Sequence, residues 1–91
     1  MARTVSDNRP QLLRDFQAFH AAHPELYWTL VALARRDRVA GRRASIRRIW
    51  EEARGTLSIR VNDHFHSLYS RMIMRREPDL AGFFETRRRQ N

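Results

Sequence analysis

The sequence predicts a mainly α-helical fold, four to five helices with at most one short strand pair, and three observations predict it. Apolar residues recur at helical spacing in four separate stretches. A proline or glycine stands at most of the boundaries between them, and alternation of apolar and polar residues is confined to short runs late in the chain. With 91 residues, one domain is expected over 9–86, between a flexible N-terminal tail, 1–8, and a basic C-terminal tail, 87–91. A chain this short buries about two-thirds of the surface its unfolded form exposes, which leaves no room for an elaborate active site.

The first helix is expected to open near Pro10, whose missing N–H costs nothing in a first turn, and to carry Leu12, Leu13, Phe16 and Phe19 on one stripe toward Ala22. His23-Pro24 breaks it, because the residue before a proline leaves the helical region while the proline itself opens the next helix. The second helix, Pro24 to Val39, places Leu26, Tyr27, Leu30, Leu33 and Ala34 on one side and Trp28, Ala32 and Val39 on the other. A helix apolar on two sides lies in the middle of a small bundle or keeps its second side for a partner. Trp28 and Trp50 are most simply core residues at helical spacing, although an exposed Trp28 would suit a dimer or partner contact. Gly41 is expected to end the helix.

Ser45 is placed to cap a third helix, in which Ile46, Ile49, Trp50 and Ala53 keep helical spacing and Gly55 is expected to close it. Leu57, Ile59 and Val61 then alternate with Ser58 and Arg60, which predicts a short strand or an extended connector with one buried face. Asn62 or Asp63 is expected to cap the fourth helix, whose stripe of Phe65, Leu68, Tyr69, Met72 and Ile73 is the cleanest in the chain. That helix must stop near Glu77 because Pro78 follows. Leu80, Phe83 and Phe84 return to the core, with Phe84–Thr86 as a candidate strand.

This order of elements is that of a winged helix-turn-helix domain. Ser45–Arg54 would be the first helix of the motif, Asn62–Arg76 the recognition helix and Asp79–Arg88 a truncated wing. The connector Gly55–Val61 is long for the turn of such a motif, and a plain small helical bundle is the alternative.

Phe16-x-x-Phe19-His20, Pro24-x-x-Tyr27, Gly41, Ile49-Trp50-Glu51, Arg54, Asn62, Tyr69-Ser70-Arg71-x-Ile73 and Pro78-x-Leu80-x-Gly82-Phe83-Phe84-Glu85-x-Arg87 span nearly the whole chain. In these residues it resembles a family of small proteins from tailed bacteriophages and prophages. The run from Tyr69 to Arg87 is the most distinctive part. The resemblance implies a phage origin and expression in a bacterial cytoplasm, and it carries over no activity.

All 18 basic side chains are arginine, none is lysine, and against 10 acids the formal net charge is +8. Genome composition accounts for the missing lysines, since nothing physical forbids lysine at so many places. It does not account for the clustering: Arg35, Arg36, Arg38, Arg42, Arg43, Arg47 and Arg48 share one short segment with a single acid, Asp37. Guanidinium groups grip phosphate or carboxylate bidentately, and neutralised phosphates release counterions, so a nucleic acid or an acidic protein surface is the partner this cluster suits. The competing reading is a solvated helix end, with Arg35, Arg36 and Arg38 set against the C-terminal dipole. On the outer face of the fourth helix, Asn62, His64, Ser67, Arg71 and Arg75 form a candidate groove-reading surface. Arg71 could instead pair with Glu77 or Glu85. Arg87 and Arg88 of the tail would add backbone contacts.

Cysteine is absent, which removes disulfides, thiolate catalysis and cysteine-ligated metal sites. His64 and His66 diverge on a helix, and His20 and His23 flank a break, so zinc is not expected. Glu51 and Glu52 stand one turn after Arg47 and Arg48 and are expected to offset them, not to form a catalytic pair. No phosphate-binding glycine loop or nucleophile elbow is present, and neither enzymatic activity nor a cofactor is expected. Nor does any apolar run approach a membrane span, and Met1–Asn8 lacks the apolar core of a secretory signal, which leads to the expectation of a cytoplasmic location without membrane contact.

The expectation from sequence is a DNA-binding regulator of transcription or host takeover, with double-stranded DNA as partner. The alternative is an inhibitor of a host protein, such as a CRISPR-type defence nuclease complex or RNA polymerase. A homodimer fits either, and RNA binding ranks lower because exposed aromatic pairs are missing.

Overall fold

In the computed structural model of the chain, the backbone is described for residues 4–43 and 45–84 and the side chains for 10–43 and 45–84. Four α-helices form there: α1 (Thr4–Ala22), α2 (Pro24–Val39), α3 (Ile46–Leu57) and α4 (Phe65–Arg76). A 3-10 turn over Pro78–Leu80 follows the last of them. No strand ladder forms among the described residues, where Phe84 makes an isolated bridge. The architecture is a small helical bundle.

α2 is the central element and touches each of the other three helices. Leu26, Leu30 and Ala34 are fully buried along its inner side, together with Tyr27 and Val31. Tyr69 of α4 knits the rest. Its ring meets Phe16 of α1 edge-on at 4.7 Å and Trp50 of α3 at 5.8 Å. Phe65 packs against Phe16 at 5.5 Å and Phe19 at 5.6 Å. Such ring pairs add about 0.5–1.5 kcal/mol each beyond the area they bury. Leu80 and Phe84 return the chain end to this core, both buried.

The helix boundaries follow punctuation in the sequence in some places and not in others. His23 forms the corner between α1 and α2, and Gly41 takes a left-handed backbone, φ 76°, just past the end of α2. α4 ends at Arg76, as Pro78 requires. Ser45 has the extended backbone of an N-cap, φ −104° and ψ 128°, yet its hydroxyl makes no capping bond.

Gly55 does not close α3. The helix runs through it to Leu57, and Ser58 takes the left-handed cap at φ 55°, donating its N–H to the Arg54 carbonyl at 2.8 Å. A glycine inside a helix costs only about 1 kcal/mol relative to alanine, and Leu57, which packs against the core, extends the buried stripe of Ile49, Trp50 and Ala53 beyond it. No strand therefore occupies Leu57–Val61. Ile59 and Val61 still lean on the core, so the one-sided burial holds without the ladder.

α4 opens later than expected, with His64 at the N-cap position. The Asn62 side chain accepts the His64 N–H at 2.9 Å, and the Asn62 carbonyl accepts that of Phe65 at 3.0 Å. Asn62 thus shapes the turn before the helix. α1 begins earlier than expected, at Thr4, which puts Thr4–Asn8 in helix and Pro10 inside it. Residues 1–3 of the N-terminal tail, and 87–91 of the C-terminal one, lie outside the described residues, as do Glu85 and Thr86 of the candidate strand.

Of the two tryptophans, Trp50 is in the core and Trp28 is 58% exposed. Trp28, Ala32 and Val39 form the second apolar side of α2, and no described residue covers it.

Candidate nucleic-acid interface

Folding spends much of the arginine cluster on internal acids. Asp37, the acid in the cluster, is fully buried, and its Oδ1 accepts from Arg36 Nε and Nη2, at 3.1 and 3.0 Å, and from Arg42 Nη2, at 3.0 Å. Arg48 stands in ion-pair range of Oδ2 at 3.7 Å. Burial pushes the Asp37 carboxyl up, and hydrogen bonds from Arg36 and Arg42 outweigh that, leaving it below the usual aspartate value. Arg36 also forks onto Glu52, Nη1 to Oε2 at 2.8 Å and Nη2 to Oε1 at 3.1 Å. Glu52 is thus drawn to α2 rather than to Arg48, and Glu51 lies 3.5 Å from Arg54, so the expected i,i+4 offsets are replaced by other pairings.

Arg35 leaves α2 on the other flank. It holds Asp79 bidentately, Nε to Oδ2 at 2.9 Å and Nη2 to Oδ1 at 3.0 Å, and reaches Glu77 Oε1 at 2.8 Å. Glu77 Oε2 in turn accepts the Tyr27 hydroxyl at 2.7 Å. Burial and this bond push the Tyr27 phenol up to about 12. Glu77 is therefore engaged by Arg35, not by Arg71. Arg35 ties the segment after α4 to α2, and its partners are separate from the Asp37 carboxylate that Arg42 and Arg48 approach.

α4 is built differently. Phe65–Arg76 contains no Asp or Glu. At 100° per residue, His64, Ser67, Arg71 and Arg75 fall on one stripe opposite the buried Phe65, Tyr69, Met72 and Ile73. His64, Ser67, Arg71 and Arg75 are all exposed, and neither arginine makes an ion pair with a described residue. Both line a groove of about 480 Å3 between α1 and α4, with Arg76 beside them and Leu13, Phe16, Leu68 and Met72 among its apolar walls. Arg76 sits over the Tyr27 ring at 5.8 Å. Arg76 and the α1 wall went unread in the sequence, because the groove joins residues more than fifty positions apart.

At the other end of α4, Arg60 and Asn62 line a shallow depression with Arg54 and Val61. Asp63 Oδ1 accepts the Trp50 indole N–H at 3.0 Å and Arg54 Nη1 at 3.2 Å. The Trp50 bond chiefly holds its carboxyl below the usual value. Arg47 lies at the α3–α4 junction, around a small crevice shared with Trp50, Glu51, Asp63 and His66. Arg43 is exposed and engaged. The structure thus aligns His64, Ser67, Arg71 and Arg75 along α4, leaves Asn62 in the turn before it beside Arg60, gathers Arg36, Arg42 and Arg48 at Asp37, and gives Arg35 separate partners. Arg87 and Arg88 lie outside the described residues.

Desolvation, followed by the charge of Arg76, lowers the pKa of His20, and desolvation followed by Arg47 lowers that of His66. Among the described residues, no group of three or more His, Asp or Glu side chains is placed to hold a metal ion. No helix there is long and apolar enough to cross a membrane. In comparisons with known proteins, no family model, curated protein or solved structure matches the chain.

Proposed function

We propose that this is a phage-encoded, basic DNA-binding protein of winged-helix-like build, a regulator of transcription or host takeover in the bacterial cytoplasm, and not an enzyme. In this reading α3 is the first helix of the motif and α4 the recognition helix. The segment from Asp79 onward acts as a truncated wing, and Arg87 and Arg88 add backbone contacts. The observation that carries the reading is the acid-free α4, with exposed Arg71 and Arg75 in line with Ser67 and His64. That stripe is about 16 Å long, enough to lie in a major groove, where arginine reaches guanine edges and serine or histidine reaches phosphate.

The acids at Asp37 and Glu52 quieten part of the original cluster. The grip on the phosphate backbone therefore falls to Arg47, Arg60, Arg71 and Arg75, with Arg42 and Arg48 contributing from half-exposed positions. Duplex binding measured across a salt titration tests this: log K should fall linearly with log salt, by about 0.9 per phosphate contacted. No affinity at low salt overturns the proposal.

One observation favours the second reading, inhibition of a host protein. The α1–α4 groove pairs apolar walls with Arg71, Arg75 and Arg76, which suits an acidic amphipathic helix laid between α1 and α4. A host complex that survives nuclease treatment and is lost on Arg75→Glu supports this reading over the first.

A further inference from the structure

We propose that α2 is the interface of a twofold-symmetric homodimer, packed antiparallel on the α2 of a second copy so that Trp28 of each chain lies against Val39 of the other. The proposal is independent of what α4 binds. It starts from the uncovered side of α2. Trp28 is 58% exposed, Val39 is 85% exposed and Ala32 between them is exposed. With Arg35 they follow the spacing i, i+4, i+7, i+11, which draws one straight stripe about 16 Å long.

A twofold interface needs a stripe that complements itself, so that if residue i meets residue j, then j meets i. This stripe does. Run antiparallel about a midpoint between Leu33 and Ala34, Trp28 falls opposite Val39 and Ala32 falls opposite Arg35. The indole meets a branched aliphatic side chain, and the small alanine admits the stem of the arginine. Arg35 does not bring a bare charge into that contact, because its guanidinium is turned aside and held by Asp79 and Glu77.

Charge selects the partner. Beside this stripe the guanidinium of Arg35 is met by Glu77 and Asp79 and that of Arg36 by Glu52 and Asp37. This is a near-neutral face on a chain of net charge +8. Two such chains repel each other least when they meet here. A polyanion or an acidic helix gains little at a face whose arginines are already met by carboxylates. The α4 stripe has the opposite character, so the two faces divide between self-association and an anionic partner.

A single helix pair falls short of the roughly 1,200–2,000 Å2 of a standard interface, so a reversible dimer with a dissociation constant in the micromolar to submillimolar range is expected. Sedimentation equilibrium from about 10 µM to about 1 mM should show it, and the exposed Trp28 emission should shift to shorter wavelength over the same range. Trp28→Ala and Ala32→Glu should each weaken dimerisation at least about tenfold. Circular dichroism should stay unchanged, since both side chains are exposed. Because the chain has no cysteine, register can be read by oxidation. The Trp28→Cys/Val39→Cys double variant should form a disulfide-linked dimer, whereas Trp28→Cys alone should not. A monomer throughout the concentration range, or a dimer indifferent to Trp28→Ala, overturns the proposal. Efficient crosslinking of Trp28→Cys alone overturns the antiparallel arrangement.

Discussion

Asp37 holds Arg42 twice, through its buried carboxylate, 3.0 Å from the Arg42 guanidinium, and through its main-chain carbonyl, which accepts the Arg42 N–H at 2.9 Å. The carboxylate also takes Arg36, so one acid fixes the end of α2 to the loop that leads into α3. Removing one partner of a buried ion pair costs about 3–5 kcal/mol. The arginines here are about half exposed, which lowers the expectation for Asp37→Asn to about 2–3 kcal/mol, readable as a loss in urea unfolding free energy. If the chain binds DNA as proposed, the same substitution should tighten binding and steepen its salt dependence, because Arg36, Arg42 and Arg48 lose their counter-charge. A stability as high as that of the unsubstituted chain would show that Asp37 is not the pin.

Stability should fall on the acid side in two stages. The imidazoles of His20 and His66 sit below their ordinary value of 6.5, each chiefly through desolvation. The unfolded chain therefore binds more protons than the folded one just below that value, and melting temperature should begin to drop as pH falls through it. The carboxyls of Asp37, Glu52, Asp63 and Asp79 are also held below their ordinary values of 3.8 to 4.5. Their contribution is complete above that range and is lost as pH falls through the folded values. Thermal melts from pH 8 to pH 3 check both stages, and His20→Asn should flatten the first. A melting temperature constant between pH 7 and pH 5 contradicts the histidine stage.

Trp50 is 1% exposed and spends its one polar hydrogen on Asp63. Asp63→Ala leaves that N–H buried without an acceptor and also releases Arg54 from the α3–α4 turn. In a domain of this size the cost should appear as a melting temperature lower by about 4–8 °C. Asp63→Asn keeps an acceptor for the indole and should recover most of the loss. Equal losses for the two would locate the effect in charge, not in the hydrogen bond.

Local chemistry made the helices legible. The stripe of α4, the two-sided α2, the break at His23-Pro24 and the stops at Gly41 and Pro78 are each carried by residues within one or two turns of the feature they set. Gly55 misled because a weak local penalty was outweighed by the burial of Leu57. The pairings of the arginines were not legible, since Arg36 finds Glu52 and Arg35 finds Asp79 across 16 and 44 positions of chain. The α4 stripe was readable for the opposite reason: a helix without acids needs no tertiary information to be recognised as basic. Ser67 and His64 align with Arg71 and Arg75 by helical period alone.

The arginines should therefore separate into two functional classes. Arg71→Gln/Arg75→Gln removes from the α4 stripe two exposed charges that no described residue pairs with and should leave the melting temperature unchanged. It should flatten the slope of log K against log salt for duplex DNA by about 2. Arg35→Gln should do the reverse. It removes the guanidinium that α2 offers to Asp79 and Glu77 and lowers the melting temperature, while the salt slope stays as it was, because its charge is already met by two carboxylates. Both variants can be assayed against one duplex in one buffer series, so instability and lost contact are read apart. Equal changes of slope in the two would mean that DNA meets the protein through diffuse charge and that α4 has no special place in the contact.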